Sequence, residues 1–378
     1  MDEILYVSAL QPFLAETRAL TPDGGELIDA HTHLGLDEDG RSLTPEELLA
    51  QLDAAGASRA CVFPLHDPER RPSYRLPNDR VLGWAGESEG RLVPYCRLDP
   101  AEAPVEEGER ALGAGARGIK LHPRAQDFHF ESPEMESIFR LASEAEVPIL
   151  IHAGRGMPPI ADGLADLALR HPDVVLILAH GAICDQGILT SRLEDHPGVL
   201  YDISCFFPLD VVELLARVPS ERVVFASDPP YGRPATTLYM ALRVARQAGI
   251  DPDALRLMLG GTMASLIDLG TLPAAGSPPR GPKIVMWGRL ARVYGYASLV
   301  GPALFSGVLD AALGMLDLAI ACCREPSLDG DGDGEALEMI GSALSAARAL
   351  IAYEDGLRPA LDLVYRSLVR AATELPEH

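Results

Sequence analysis

Five side chains of the kinds that bind metals or move protons stand at the ends of apolar runs. His31 and His33 lie in IDAHTHLG (28–35), His152 in PILIHAG (148–154), His180 in LILAHGA (176–182) and Asp228 in VVFASDPPYG (223–232). An apolar run that stops at histidine or aspartate is odd for a core and natural for a site at the mouth of a barrel. Taken singly, each has a plain reading: a strand-end histidine hydrogen-bonds a neighbour, and an aspartate before proline caps a turn. Taken together, five such residues on one rim point to a bound metal. Successive strand side chains point to opposite faces, so His31 and His33 project the same way.

Something must hold these residues on one rim. Apolar, β-rich runs recur at 26–34, 58–65, 92–98, 116–122, 147–152, 174–180, 199–204 and 222–227. Several, such as VVLILA, RVVFAS and VPILIH, are apolar on both faces, as parallel strands covered by helices require. Helical patterns fill the gaps at 44–55, 101–112, 132–145, 160–170, 208–218 and 236–248. Thr44-Pro45-Glu46-Glu47 is a helix start, with a cap residue, proline at the first position and then acids. The alternation predicts an α/β fold, a (β/α)8 TIM barrel with a C-terminal all-helical extension. An open doubly wound sheet lacks support, because no strand runs into a GxGxxG turn. The expected organisation is a barrel over 1–270, a Pro/Gly linker at 271–283 and a helical domain over 284–378, with helices at 303–323, 336–353 and 358–375.

Bulk properties narrow the function classes. The chain has 378 residues and a net charge of −23, which a nucleic-acid backbone would repel, so no nucleic-acid partner is expected. The stretch from Tyr296 to Cys323 contains Asp310 and Asp317 and reads as a buried helix rather than a membrane span, so no membrane partner is expected either. The N-terminus MDEILYVSAL carries acids where a signal peptide needs basic residues, and none of the six cysteines forms a CxxC pair. Both favour a cytoplasmic protein with free thiols. The run Asp329, Asp331, Asp333, Gly334 mimics the start of an EF-hand loop, but Ile340 stands where the bidentate glutamate belongs, so an acidic loop is the better reading.

The motifs together resemble the amidohydrolase superfamily, and within it the amidohydrolase-2 group of metal-dependent hydrolases and decarboxylases. The likeness runs from about Glu26 to Leu269 and is carried, in order, by IDAHTHLG, RGIKLHP (117–123), PILIHAG, LAHGA, LYDIS and FASDPPYG. It is specific for the superfamily and not for a substrate. One departure is Gly261-Thr262-Met263-Ala264, where many relatives show a Gly-Asn-Ala turn. The resemblance implies that His31, His33, His152 and Asp228 bind a divalent metal, with His180 a second-metal ligand or a catalytic residue beside it. Zinc suits three imidazoles and a carboxylate with one open position, and manganese or iron accepts the same ligand types. One ion is favoured over two.

Lys120 and His122 share a face of the fourth strand. Three readings of Lys120 stand: a carboxylated lysine bridging two metals, as in some relatives; a cation holding a substrate carboxylate, which is favoured; or a partner of an acid such as Asp228. His122, Arg97, Arg155 and Tyr231 are further candidates for substrate contact, His129 and His66 are weaker ones, and Asp202 is a candidate for supporting a metal ligand. His171 and His196 precede prolines at helix ends and read as structural.

The expected activity is hydrolysis of a small amide, lactone or ester, with the metal lowering the pKa of its water from ~16 to about 7. Asp228 and His180 would be the catalytic residues, and the small-molecule substrate would be anionic. The alternative is non-oxidative decarboxylation of an unsaturated or aromatic acid, which the same ligands would serve. A non-catalytic metal- or ligand-binding barrel is the reading from another class. The Ala/Leu-rich C-terminal helices raise the further expectation of a homo-oligomer.

Overall fold

A strand buried on both faces needs apolar side chains in both directions, and the Leu176–Ala179 strand shows how this chain meets that need. Leu176 and Leu178 join the outer core against the helices, while Ile177 and Ala179 join the inner core of the barrel. The structure, a computed structural model, describes residues 3–204, 206–279, 286, 288–325, 334–353 and 355–374.

Eight parallel staves form the barrel. They are β1 (Ile28–Leu36), β2 (Arg59–Pro64), β3 (Leu92–Pro94 and Cys96–Arg97), β4 (Ile119–Leu121), β5 (Ile149–His152), β6 (Leu176–Ala179), β7 (Val199–Asp202) and β8 (Val223–Val224). A two-residue strand, Ser42–Leu43, pairs antiparallel with the end of β1. Neighbouring staves pair in sequence order, and Tyr95 bridges the two halves of β3 by donating its N–H to the Val62 carbonyl at 2.8 Å. The barrel closes where Ala30 N–H donates to Phe225 O at 3.0 Å and Asp228 N–H donates to His31 O at 2.8 Å. Each strand expected from the sequence is present, most of them shorter than the apolar run that contains it.

Helices α1 (Glu3–Leu20), α2 (Pro45–Ala55), α3 (Arg75–Gly86), α4 (Pro104–Gly113), α5 (Pro123–Gln126), α6 (Pro133–Glu144), α7 (Ala161–Arg170), α8 (Gln186–Arg192), α9 (Pro208–Leu215), α10 (Pro234–Ala248), α11 (Pro252–Arg256) and α12 (Thr262–Leu269) surround the barrel. The expected start of α2 is a full capping box: Glu47 N–H donates to Thr44 Oγ1 at 3.2 Å, and Thr44 N–H to Glu47 Oε2 at 3.0 Å. Helices α1, α3 and α8 escape a reading by periodicity. In α3 the interruptions are visible, since Pro77, Gly83 and Gly86 look like loop residues. In the Gly-Thr-Met-Ala turn, Thr262 is fully buried and its hydroxyl donates to Glu221 O at 3.1 Å, so this turn serves packing below the barrel.

After α12, residues 271–279 carry no regular structure. Helices α13 (Gly288–Phe305), α14 (Leu309–Arg324), α15 (Gly334–Leu350) and α16 (Leu357–Thr373) then pack on one another, and α16 also packs on α10, α1 and α9. Their apolar faces, including Val293, Leu316, Leu344 and Leu363, belong to the same hydrophobic core as the outer barrel wall. The apolar stretch from Tyr296 to Cys323 is therefore two helices and not one. Gly307 adopts a φ of +73°, Val308 N–H donates back to Ala303 O at 2.9 Å, and the chain reverses. Leu299, Phe305, Val308, Leu309 and Leu318 remain exposed along this hairpin. Among the described residues no helix is long and apolar enough to cross a membrane. The acidic run 328–333, the linker residues 280–283, Cys205 and His378 lie outside the described residues.

One contact ties the helical extension to the barrel mouth. The Tyr365 hydroxyl on α16 donates to the Phe206 carbonyl, in the loop between β7 and α9. Phe206 lines the cavity at the mouth, so the extension braces part of its wall.

Candidate metal centre

Strict alternation decides most of the inward set. On β3, Val93 and Tyr95 face the barrel interior and Arg97 follows them. On β5, Leu150 precedes His152; on β7, Leu200 precedes Asp202; on β8, Val224 and Ala226 precede Asp228. Lys120 is flanked by the outward Ile119 and Leu121. Two strands break this parity. On β1, Ile28 and Ala30 face inward, yet His31 and His33 do too, because the pairing of β1 with β2 slips by one residue between Asp29 and Thr32. Such a bulge re-aims the side chains beyond it. On β6 the inward residue is Ala179, so His180 should point outward. Instead His180, Gly181 and Ala182 all adopt positive φ (56°, 52° and 54°), and the ring turns back over the barrel mouth. Asp228 is also held at a φ of 57°. Left-handed backbone at non-glycine residues is costly and gathers at functional sites.

His31, His33 and Asp228 then meet. His31 Nε2 lies 3.2 Å from His33 Nε2, and each of these nitrogens lies 3.2 Å from Asp228 Oδ1. Three ligand atoms at tetrahedral positions with bonds of about 2.0–2.1 Å stand about 3.3 Å apart, so this triangle has the edge a tetrahedral ion requires. The hydrogen positions agree. Asp202 is an acceptor, so the 2.8 Å contact from His31 Nδ1 to Asp202 Oδ2 places the proton on Nδ1. His31 Nε2 therefore turns a lone pair toward the Asp228 carboxylate oxygen, with the Lys120 amine also 3.2 Å away, and a cation among these groups would draw on both the nitrogen and the oxygen. His180, His31 and Asp228 form an overlapping group with ligand atoms within 4.8 Å of one another. The residues present fit a divalent metal.

The electrostatics favour the ligand forms of these side chains. Burial, followed by the Lys120 charge, pushes His31 down to about 3, against the opposing pull of Asp202. Burial likewise holds His33, His152 and His180 below their ordinary values. Neutral imidazole is the form that binds metal. Burial alone would raise the Asp202 carboxyl, but His31 and its hydrogen bond outweigh that and hold it ionised.

Asp202 supports two histidines at once. Its Oδ2 holds His31, while its Oδ1 accepts from His180 N–H at 2.8 Å, Ser204 N–H at 2.9 Å and the Ser204 hydroxyl at 2.7 Å. His180 Nδ1 lies 3.1 Å from the Ser204 carbonyl, which can only accept, so Nδ1 carries the proton and Nε2 a lone pair. That Nε2 lies 3.2 Å from His152 Nδ1 and 4.0 Å from Asp228 Oδ2. The Asp202→Asn variant is expected to lower metal affinity by about 10–100-fold, because it removes the charge that fixes the His31 tautomer. Competition with a chelator measures it; unchanged affinity would mean that Asp202 serves folding alone.

The remaining candidates divide by position. His122 stacks on His152 with ring centres 3.8 Å apart, and its Nδ1 accepts from Ala125 N–H at 3.3 Å, which leaves Nε2–H as a donor. Lys120 is fully buried, 3.2 Å from His31 Nε2 and 4.4 Å above the Phe63 ring, beneath the cavity rather than on its wall. Burial pushes its ammonium down to about 7, with Asp228 opposing. Arg97, Arg155, Tyr231 and also His66 line a cavity of about 740 Å³ with His33, His152, His180 and Asp228. Arg155 is paired with Asp210 at 2.6 Å. The Tyr231 hydroxyl donates to Asp37 at 3.0 Å, and its ring stands edge-on to His33. His129 is exposed and off the cavity, and His171 and His196 are engaged by Glu136 and by the Ala168 carbonyl.

Some participants were not singled out from the sequence. Asp29, fully buried, accepts from His31 N–H at 3.1 Å and Ser227 N–H at 3.0 Å and bonds the Ser227 hydroxyl, bracing the two ligand-bearing ends. Burial raises its carboxyl to about 7. Its place two residues before His31 was the available signal. Ser204 had the same kind of signal, as the last residue of LYDIS two positions after Asp202, whereas Phe63, Phe206, Asp37 and Arg124 left none, since each arrives from a different loop or strand.

A family model described as Amidohydrolase matches residues 28–269, more than half of the chain. Among solved structures, a TIM-barrel protein from Bordetella bronchiseptica is similar at 15% identity and a TM-score of 0.53, covering 65% of this chain and 99% of that one. IDCase from Metarhizium anisopliae is similar at 14% identity and 0.51, covering 65% and 98%. An enamidase described as a member of the amidohydrolase superfamily is similar at 16% identity and 0.51, covering 67% and 70%. At such identities these likenesses establish the barrel fold. No protein of curated function matches the sequence. The family match spans every strand of the barrel and every residue of the histidine–aspartate cluster, and the chain belongs to the amidohydrolase family.

Proposed function

We propose that this chain is a metal-dependent hydrolase of small amides, lactones or esters, working with one divalent ion, zinc by preference. The observation that carries the reading is the 3.2 Å triangle of His31 Nε2, His33 Nε2 and Asp228 Oδ1, with an unprotonated nitrogen facing a carboxylate. His31, His33 and Asp228 would hold the ion, with His180 and His152 beside them. A divalent ion there supplies a Lewis acid and a water that loses its proton near neutral pH.

The chain's own groups do the rest. Asp228, at the junction of cavity and cluster, takes the proton of the attacking water and returns it to the leaving group. His180 presents a lone pair, so it acts as ligand or proton acceptor. It becomes a donor to a developing oxyanion only after taking up a proton. Buried Asp202, Ser204 and Asp29 keep both histidines and the Asp228 strand end in position.

Elemental analysis of chelator-free protein, beside a His31→Ala/His33→Ala variant, tests the reading together with a panel of esters, lactones and amides. About one divalent ion per chain, lost in the variant together with hydrolysis, supports it. Release of carbon dioxide from an unsaturated or aromatic acid, with no hydrolysis, would move the assignment to decarboxylation. A protein that binds no ion after zinc and manganese are added back would overturn it.

A further inference from the structure

The cavity wall holds a cation without an anionic partner. Arg97 is 1% exposed and lines the cavity. Its Nη1 donates to the Pro64 carbonyl at 3.2 Å, its Nη2 approaches His66 Nδ1 at 3.5 Å, and the guanidinium lies 5.0 Å from the Tyr74 ring centre. Its Nε–H has no hydrogen-bond partner, and among the described residues no carboxylate oxygen lies within 4 Å of it. Asp37 attracts it from a greater distance, while Arg70 repels it. Among the other cations lining the cavity, Arg155 is paired with Asp210 and Arg41 with Asp39, while Arg124 is exposed and donates to the Gly156 carbonyl at 3.3 Å. A buried guanidinium left unpaired is costly.

The position is also built. Asn78 grips the Arg97 backbone on both sides, accepting from its N–H at 2.8 Å and donating to its carbonyl at 3.0 Å. Arg97 pairs in register with Lys120 on β4, the strand that leads into His122. Arg97 and His122 line the same cavity. His122 offers its Nε2–H there, since Nδ1 is occupied by the Ala125 amide.

We propose that the substrate carries a carboxylate remote from its reacting carbonyl, and that Arg97, with His122 of the same cavity, is the subsite that receives it. A planar carboxylate matches the Nε edge of a guanidinium with two parallel hydrogen bonds, a geometry that lysine does not reproduce. This deepens the hydrolase reading by naming a substrate class, and it uses that same cavity.

The test is calorimetric binding of three four-carbon probes, succinate, butyrate and succinamide, to the wild-type protein and to Arg97→Met and Arg97→Lys variants, with metal content measured on each sample. Butyrate has one carboxylate for the metal; succinate has a second for Arg97. The expected result is that wild-type protein prefers succinate to butyrate by about tenfold or more, that Arg97→Met abolishes the preference at unchanged metal content, and that Arg97→Lys keeps only part of it. A wild-type ratio near one overturns the proposal, as does a preference that survives in Arg97→Met. The wild-type ratio stands even if a variant fails to fold. Protein that holds no metal yet prefers succinate to succinamide would retain the Arg97 subsite while the metal-hydrolase reading fails.

Discussion

Under the proposed hydrolase reading, Asp228→Asn is expected to lower kcat by about 10²–10⁴-fold, the range that a positioned proton-transfer group contributes. Asparagine keeps the size of the side chain and an oxygen able to meet a metal, so part of the metal affinity survives. What it removes is the basic oxygen, 3.2 Å from both His31 Nε2 and His33 Nε2 and at the edge of the cavity. Steady-state kinetics at matched metal occupancy separates the two roles. A kcat that falls only in proportion to lost metal would make Asp228 a ligand alone and move the proton transfer to His180.

The second large effect is on stability. Arg243→Met is expected to destabilise the protein by about 3–5 kcal/mol in denaturant unfolding, the range for removing one partner of a buried ion pair. Arg243 is 1% exposed on α10 and joins three helices: Nη1 donates to Glu16 of α1 at 2.7 Å, Nε to Thr373 Oγ1 at 2.9 Å, and Nη2 to the Thr373 carbonyl and to Glu374, each at 2.8 Å, at the end of α16. Methionine restores the volume and none of the donors, so Glu16 loses a partner and the last turn of α16 loses its cap. Burial alone would raise the Glu16 carboxyl; Arg243 and then Arg370 outweigh it and hold it below its ordinary value. A depressed carboxylate stabilises the fold above its unfolded pKa of about 4.3 and loses that contribution as pH falls through its folded value. The difference between wild type and variant should therefore be full at neutral pH and shrink in acid. A loss under about 1 kcal/mol would mean that the helical extension is held by its apolar faces alone.

Much of the site was legible because a parallel barrel turns sequence parity into direction. Leu150 and His152, Leu200 and Asp202, and Ala226 and Asp228 share a face by alternation, so an apolar residue two positions earlier announces an inward functional one. The same rule placed Lys120 inside but could not tell how deep it lies. The sequence favoured a lysine that holds a substrate carboxylate, whereas its ammonium sits beneath the cavity against His31, and Arg97 reaches the wall. Depth depends on stagger between neighbouring strands, which composition does not encode. In the extension, helical periodicity marked α15 and α16 but not the reversal at Gly307, because Ala/Leu-rich sequence supports one long helix as well as two.

The sequence by itself determined the barrel, its family and the residue types of a metal site, because strand and helix periods and the chemistry of imidazole and carboxylate are local properties. Only the tertiary structure decided which atoms meet. The slip in β1 turned both His31 and His33 inward, and the left-handed turn at 180–182 returned His180 to a mouth that strict alternation denied it. Asp202 came to serve His31 from 171 positions away. Backbone conformations of this kind are unfavourable in isolation, and they persist because the packed barrel and its hydrogen bonds outweigh the strain.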